Sequence, residues 1–158
     1  MAWGECGCFL QKLTITHVRN WQENRHRVGY GHLYQGRYRS FPVASDEHFF
    51  RVLRYTERNP LRANLVERAE DWRWSSLWRR VHGTADERRW LAAWPLPEPR
   101  GWGRAVNEPQ SDRELEALRR CVMRGQPYGS NRWIQDAAKS LGLESTLRRR
   151  GRPRKELP

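Results

Sequence analysis

Apolar residues recur at helical spacing in several stretches of this chain, and in one stretch they alternate instead. Leu13, Thr16, His17 and Trp21 lie about one turn apart and predict a helix over residues 9–27, which Gly29 and Gly31 then break. Residues 33–43 alternate large and basic side chains (Tyr34, Arg37, Tyr38, Arg39, Phe41), which predicts a half-buried strand ending at Pro42. Ser45-Asp46-Glu47-His48 supplies a helix N-cap, and Phe49, Val52, Leu53 and Thr56 line one face of the helix that follows. Pro60 ends or kinks that helix because it has no amide to donate. Residues 94–109 hold Pro95, Pro97, Pro99 and Pro109 with Gly101 and Gly103, the composition of a linker or an extended wrap. Beyond it, Leu115, Leu118, Val122 and Met123 outline one amphipathic helix. Trp133, Ile134, Ala137, Ala138 and Leu141 outline a second, with Gly125-Gln126-Pro127 turning the chain between them and Gly142 as a C-cap. This hairpin is compatible with a helix-turn-helix unit.

Charge changes the picture more than length does. A mean hydropathy of -0.99 leaves a small core that leans on nine tryptophans. The formal charge of +12 puts a polyanion first among partners. Residues 145–158 carry six basic groups and one acid, which gives +5 of that +12. The remainder includes Arg37, Arg39, Arg51, Arg54, Arg58 and Arg62. Interleaved with Tyr34, Tyr38 and Phe41, these arginines could meet phosphates while the rings stack bases; the plainer alternative is a set of solvated faces. No apolar run approaches the roughly 20 residues that span a bilayer. With no secretory leader and only three cysteines, the chain is expected in the cytoplasm.

On the helix after residue 46, Tyr55 and Asn59 stand at i and i+4, so a phenol and an amide project from one face. His48 falls on the same flank. Taken alone, Tyr55 reads as a packed tyrosine and Asn59 as a helix-terminating residue before proline.

The segment Gly31-His32-Leu33-Tyr34-Gln35-Gly36-Arg37-Tyr38, then Tyr55 with Asn59-Pro60 and Arg62-Ala63-Asn64-Leu65-Val66, then Asp71-Trp72-Arg73-Trp74-Ser75-Ser76-Leu77, resembles the REP-associated tyrosine transposases. These are HUH-class nickases and strand transferases acting on single-stranded DNA. The resemblance covers about residues 12–80. It implies an α+β fold, the C-terminal half of a ferredoxin-like HUH domain, mostly helical here, with a small helical C-terminal unit. It implies Tyr55 as the nucleophile that stores a cut strand as a phosphotyrosine bond. It implies Asn59 as one ligand of Mg2+ or Mn2+. The family's His-hydrophobe-His pair has no counterpart, because His17, His26, His32, His48 and His82 are never two apart. That departure implies an N-terminally shortened member which holds the ion poorly and is inactive alone.

The expected organisation is a partial transposase domain at 9–80, a proline-rich linker at 81–110, a helical hairpin at 111–144 and a basic tail at 145–158. Trp72 and Trp74 are expected as core plugs. In the tail, Arg150-Gly151-Arg152-Pro153-Arg154-Lys155 resembles the core of an AT-hook, in which arginines lie along a narrow minor groove. A basic arm adding phosphate affinity without sequence preference is the alternative. The expected function is DNA transposition or REP-element processing on single-stranded or hairpin DNA. A nucleic-acid-binding remnant without catalysis is the second reading.

Overall fold

The computed structural model describes residues 3–34, 36 and 38–148. The chain divides into two compact units, Met1–Ser40 and Phe41–Pro158.

In the first unit, helix α1 spans Trp3–Asn24. The chain then turns back along it. The Gln22 side chain donates to the Gly31 carbonyl at 3.0 Å, and His17 Nδ1 meets the Tyr34 hydroxyl at 2.6 Å. Further on, Cys6 Sγ lies 3.6 Å from the Tyr38 hydroxyl, so the return segment runs antiparallel to the helix. Gly29 and Gly31 carry φ of +92° and +94°, values that L side chains rarely adopt, and they make this reversal possible. A cavity of about 1110 Å³ lies between helix and return segment.

Among its described residues, the expected strand at 33–43 is not there. Its alternation is real, but its neighbour in the first unit is a helix, which offers no ladder of backbone groups. Among the described residues there is no strand, and Val43 forms only an isolated bridge with Tyr128. The α+β, ferredoxin-like expectation is overturned by this finding: the described chain is mostly helical, without a sheet.

The second unit is built around helix α2, Glu47–Glu57. Asp46 caps it by accepting from the His48 amide at 2.8 Å. Pro60 then closes α2 and opens the short α3, Asn59–Arg62, where its missing amide is no loss. A 3₁₀ turn at Ala69–Asp71 leads to α4 (Ser76–His82) and α5 (Ala85–Arg88). Helices α6 (Trp102–Asn107), α7 (Asp112–Arg124), α8 (Asn131–Ser140) and α9 (Glu144–Leu147) follow.

Helix α2 serves two apolar clusters. Phe50 and Leu53 pack against Ala69, Leu77, Trp102 and Val106. Val52 and Tyr55 pack against Leu118, Cys121 and Tyr128. The proline-rich stretch is thus more than a linker. Trp94 makes edge contacts with Phe50 and Trp102 at centroid distances of 5.7 and 5.5 Å, and Val106 is fully buried. The prolines Pro95, Pro97 and Pro99 lead into α6, and the aromatic residues of this segment supply one wall of the core. The paired-tryptophan expectation holds less well. Trp74 is 75% exposed, with Arg73 lying over its ring.

Helices α7 and α8 are joined by residues 125–130, longer than the three- or four-residue turn of a helix-turn-helix. Gly125 ends α7 in the left-handed region, as expected for a C-cap. Within the connection, Tyr128 donates to the Pro42 carbonyl and accepts from the Ala44 amide, both at 2.9 Å. These two bonds pin the hairpin to the entry of α2. Burial pushes the Cys121 thiol beneath this joint up to about 11, so it stays protonated near neutral pH.

A carboxyl group is buried in the α2 core. Glu57, 2% exposed, follows Phe50 by seven positions and Leu53 by four, so it shares their inward face. Its carboxylate accepts from Ser76 Oγ at 2.5 Å and from Trp102 Nε1 at 2.8 Å. That carboxyl ties α2, α4 and α6 together.

Candidate nucleic-acid interface around Tyr55

The last turn of α2 and the single turn of α3 bring Tyr55, Asn59 and Arg62 together. The chain stays helical across Pro60, so the i, i+4 and i+7 positions remain on one flank. One face of the Tyr55 ring lies in the cluster formed by Leu118, Cys121 and Tyr128. The Arg62 guanidinium carbon sits 4.3 Å from the centroid of the same ring. Arg62 Nη2 also donates to Asn59 Oδ1. Tyr55 is half-buried, and its hydroxyl makes no hydrogen bond among the described residues.

His48 is not part of this group. Its Nδ1 lies 2.7 Å from Asp46 Oδ1, and its ring meets Tyr128 edge-on at 5.2 Å. The Asp46 carboxyl is held below its ordinary value, chiefly by the His48 amide, with burial opposing and the imidazole assisting.

The arginines predicted as phosphate contacts divide into kinds. Arg58 Nη1 donates to the Val106 carbonyl at 3.0 Å and to that of Asn107. Arg54 Nη2 donates to the carbonyls of Glu108 at 2.8 Å and Pro109 at 3.1 Å. Both guanidiniums therefore cap the C-terminal end of α6, where unpaired carbonyls and the helix dipole favour a cation. Burial first, then the charges of Arg54 and Arg62, pull the Arg58 pKa below its ordinary value. Arg51 pairs with Glu47 at 3.2 Å one turn away. Arg39 is exposed in the first unit. Arg37, Arg150, Arg152, Arg154 and Lys155 lie outside the described residues.

The capping role has a measurable consequence. Arg58→Ala should lower unfolding stability by about 1.5–3 kcal/mol, because it leaves two carbonyls without their charged donor. Arg58→Lys should recover only part of this, since a point charge cannot reproduce the fork. Chemical denaturation of the three proteins checks it, and an Arg58→Ala midpoint equal to wild type would remove the capping assignment.

Sequence reasoning missed Asn107, which locks α6 in place. Its Nδ2 donates to Glu70 at 2.6 Å and to the Gly103 carbonyl at 2.9 Å, while its Oδ1 accepts from the Ala69 amide at 2.9 Å. No periodic signal marks such a residue, because its partners are distant in sequence. The carbonyl contacts of Arg54 and Arg58 were not legible for the same reason: an arginine on a helix looks alike whether its acceptor is a phosphate or a distant carbonyl.

The described residues do not assemble an ion site at Asn59. Its amide oxygen is engaged by Arg62, and no group of three His, Cys, Asp or Glu side chains comes together among the described residues. No helix among the described residues is long and apolar enough to cross a membrane. Comparison with known proteins gives no match: no family model fits the chain, and no curated protein or solved structure is similar to it.

Proposed function

We propose that this chain is a DNA-binding protein of the transposition kind, engaging single-stranded or hairpin DNA with Tyr55 presented to the phosphodiester backbone. The observation that carries the reading is the Tyr55–Asn59–Arg62 group, in which a guanidinium lies over the phenol ring and bonds the amide oxygen. The net charge of +12 supports the choice of a polyanion. Exposed Tyr30, Tyr34 and Tyr38 in the first unit are rings of the kind on which bases stack.

In the cleavage reaction the resemblance implies, the Tyr55 oxygen forms a new bond to phosphorus as one phosphodiester P–O bond breaks. The phenolic proton leaves to solvent, and the released deoxyribose oxygen takes one up. The number of phosphoester bonds is unchanged, so strand rejoining requires no external energy source. This chain supplies the hydroxyl and the neighbouring cation.

A second reading, DNA binding without cleavage, is favoured by the Arg62–Asn59 hydrogen bond, which occupies the oxygen that the family uses as a ligand. One experiment separates the two. With a His-hydrophobe-His segment fused upstream and Mg2+ or Mn2+ added, a labelled hairpin DNA should yield a protein adduct that survives denaturation. Tyr55→Phe keeps the packing and removes the oxygen, so the adduct should vanish. A Phe variant that still forms it ends the nucleophile assignment, and an absent adduct in the parent fusion leaves the binding reading.

A further inference from the structure

Three arginines on successive turns, Arg54, Arg58 and Arg62, pair with no carboxylate among the described residues. Arg54 and Arg58 are turned to backbone carbonyls, which cancel little net charge, and Arg54 Nε is also shut off from solvent without an acceptor. Arg62 differs. It touches both chemistry-bearing side chains, while its Nη1 is shut off from solvent without a hydrogen-bond acceptor. A guanidinium presents donors in a planar fork that matches two oxygens of a phosphate. One Nη of Arg62 is spent on Asn59, and the other lacks an acceptor.

From this we infer that Arg62, with the Tyr55 hydroxyl and Asn59 beside it, forms a binding site for a phosphate oxyanion that needs no divalent cation. The inference rests on reading the Tyr55–Asn59 face as the functional site, and it adds how that site is charged. The fixed positive charge comes from the chain itself, held in place by the aromatic ring beneath it and the amide oxygen at its edge. Asn59 then orients the guanidinium. The uncompensated charges of Arg54 and Arg58 raise the local potential without touching the anion. An incoming oxyanion draws the guanidinium out of the cover that shuts Nη1 off from solvent, and the Tyr55 hydroxyl provides a second donor.

The test uses the intact chain in a chelating buffer, with ¹⁵N-labelled arginine and two phosphate sources. One is a short single-stranded oligonucleotide; the other is inorganic phosphate. The Arg62 guanidinium signal, assigned by its absence in Arg62→Lys, should move on addition of the oligonucleotide. Movement with both sources makes the site one for phosphate oxyanions generally, and movement with the oligonucleotide alone makes it one for phosphodiesters. Oligonucleotide affinity should fall about tenfold in Arg62→Ala and by a smaller factor in Arg62→Lys, as expected for loss of one charge-assisted contact. Arg62→Lys keeps charge and stem, so it also serves if the alanine variant does not fold. An Arg62 signal that ignores both sources, or that moves only when Mg2+ or Mn2+ is supplied, overturns the inference. A moving Arg62 signal without any Tyr55 adduct would discard cleavage alone, and an adduct with a motionless Arg62 would discard this site alone.

Discussion

Raising monovalent salt from about 50 to about 200 mM should weaken single-stranded DNA binding roughly a thousandfold. The effect is this large because each lysine or arginine that meets a phosphate releases counterions. For single strands the slope of log affinity against log salt is about -0.7 per contact. Residues 145–158 contain six basic groups. Removing them should therefore make the slope shallower by up to about 4, while a preference for single strands remains. If the tail acts as an AT-hook, its loss should also abolish any preference for A·T-rich over G·C-rich duplex, since groove width and the guanine amino group decide that choice. Fluorescence anisotropy over a salt series measures all of this. An unchanged slope after tail deletion would remove the tail from the interface.

Glu57→Ala should destabilise the second unit by about 2–5 kcal/mol, because it opens a cavity and leaves two buried donors unpaired. Those donors are Ser76 Oγ and Trp102 Nε1. Glu57→Gln should cost far less. Its oxygen can accept from the indole, and the serine hydroxyl can rotate to accept from its amide. The two variants also separate shape from charge. Burial raises the Glu57 pKa above its ordinary carboxylate value, and the hydrogen bonds from Ser76 and Trp102 only partly oppose this. A raised folded-state pKa means the native chain binds the proton more tightly than the unfolded one. The stability Glu57 contributes is thus complete below the ordinary carboxylate value of 4.5 and is lost as pH rises through the folded value. Asp46, Glu70 and Glu87 have lowered values and act in the opposite sense, losing their contribution as pH falls. The difference between wild type and Glu57→Gln isolates one group. Denaturant midpoints across acidic to neutral pH should show the wild-type advantage shrinking as pH rises; a growing advantage would contradict the burial argument.

The helices were legible in the sequence wherever one apolar face meets one core. Of the faces read for α7 and α8, Leu118, Ala137 and Ala138 are buried, whereas Met123 is 52% exposed and Cys121, not part of the face read for α7, is buried; Ser111 and Ser130 cap the two helices. Helix α2 was legible from its Asp46 cap and its apolar positions, although these divide between two clusters. The strand was misread because period-two alternation reports a half-buried ribbon without saying what lies beside it. Gly31, Tyr34 and Tyr38 lie along α1, held by single side-chain contacts at Gln22, His17 and Cys6. Trp102 was hidden inside a proline-rich stretch whose composition suggested a linker, although its ring is a main piece of the core.

The candidate site was legible in part. Tyr55 and Asn59 share a flank as their spacing requires, because α3 continues the course of α2. That Arg62 would join them was not legible. Spacing alone placed it beside Arg54 and Arg58 as one more basic residue, yet Arg54 and Arg58 cap α6 whereas Arg62 touches both Tyr55 and Asn59. Local pattern fixes which face a side chain leaves from. Its partner depends on what the rest of the chain brings there.

The most direct measurement is a photo-crosslink map. A single-stranded oligonucleotide carrying a photoreactive base, irradiated with the chain at about 50 mM salt, is followed by mass spectrometry of the adducted peptides. The account predicts cross-links on the peptide that carries Tyr55, Asn59 and Arg62, diminished in Arg62→Ala. An absence of DNA binding at that salt, or cross-links confined to residues 145–158, would contradict it.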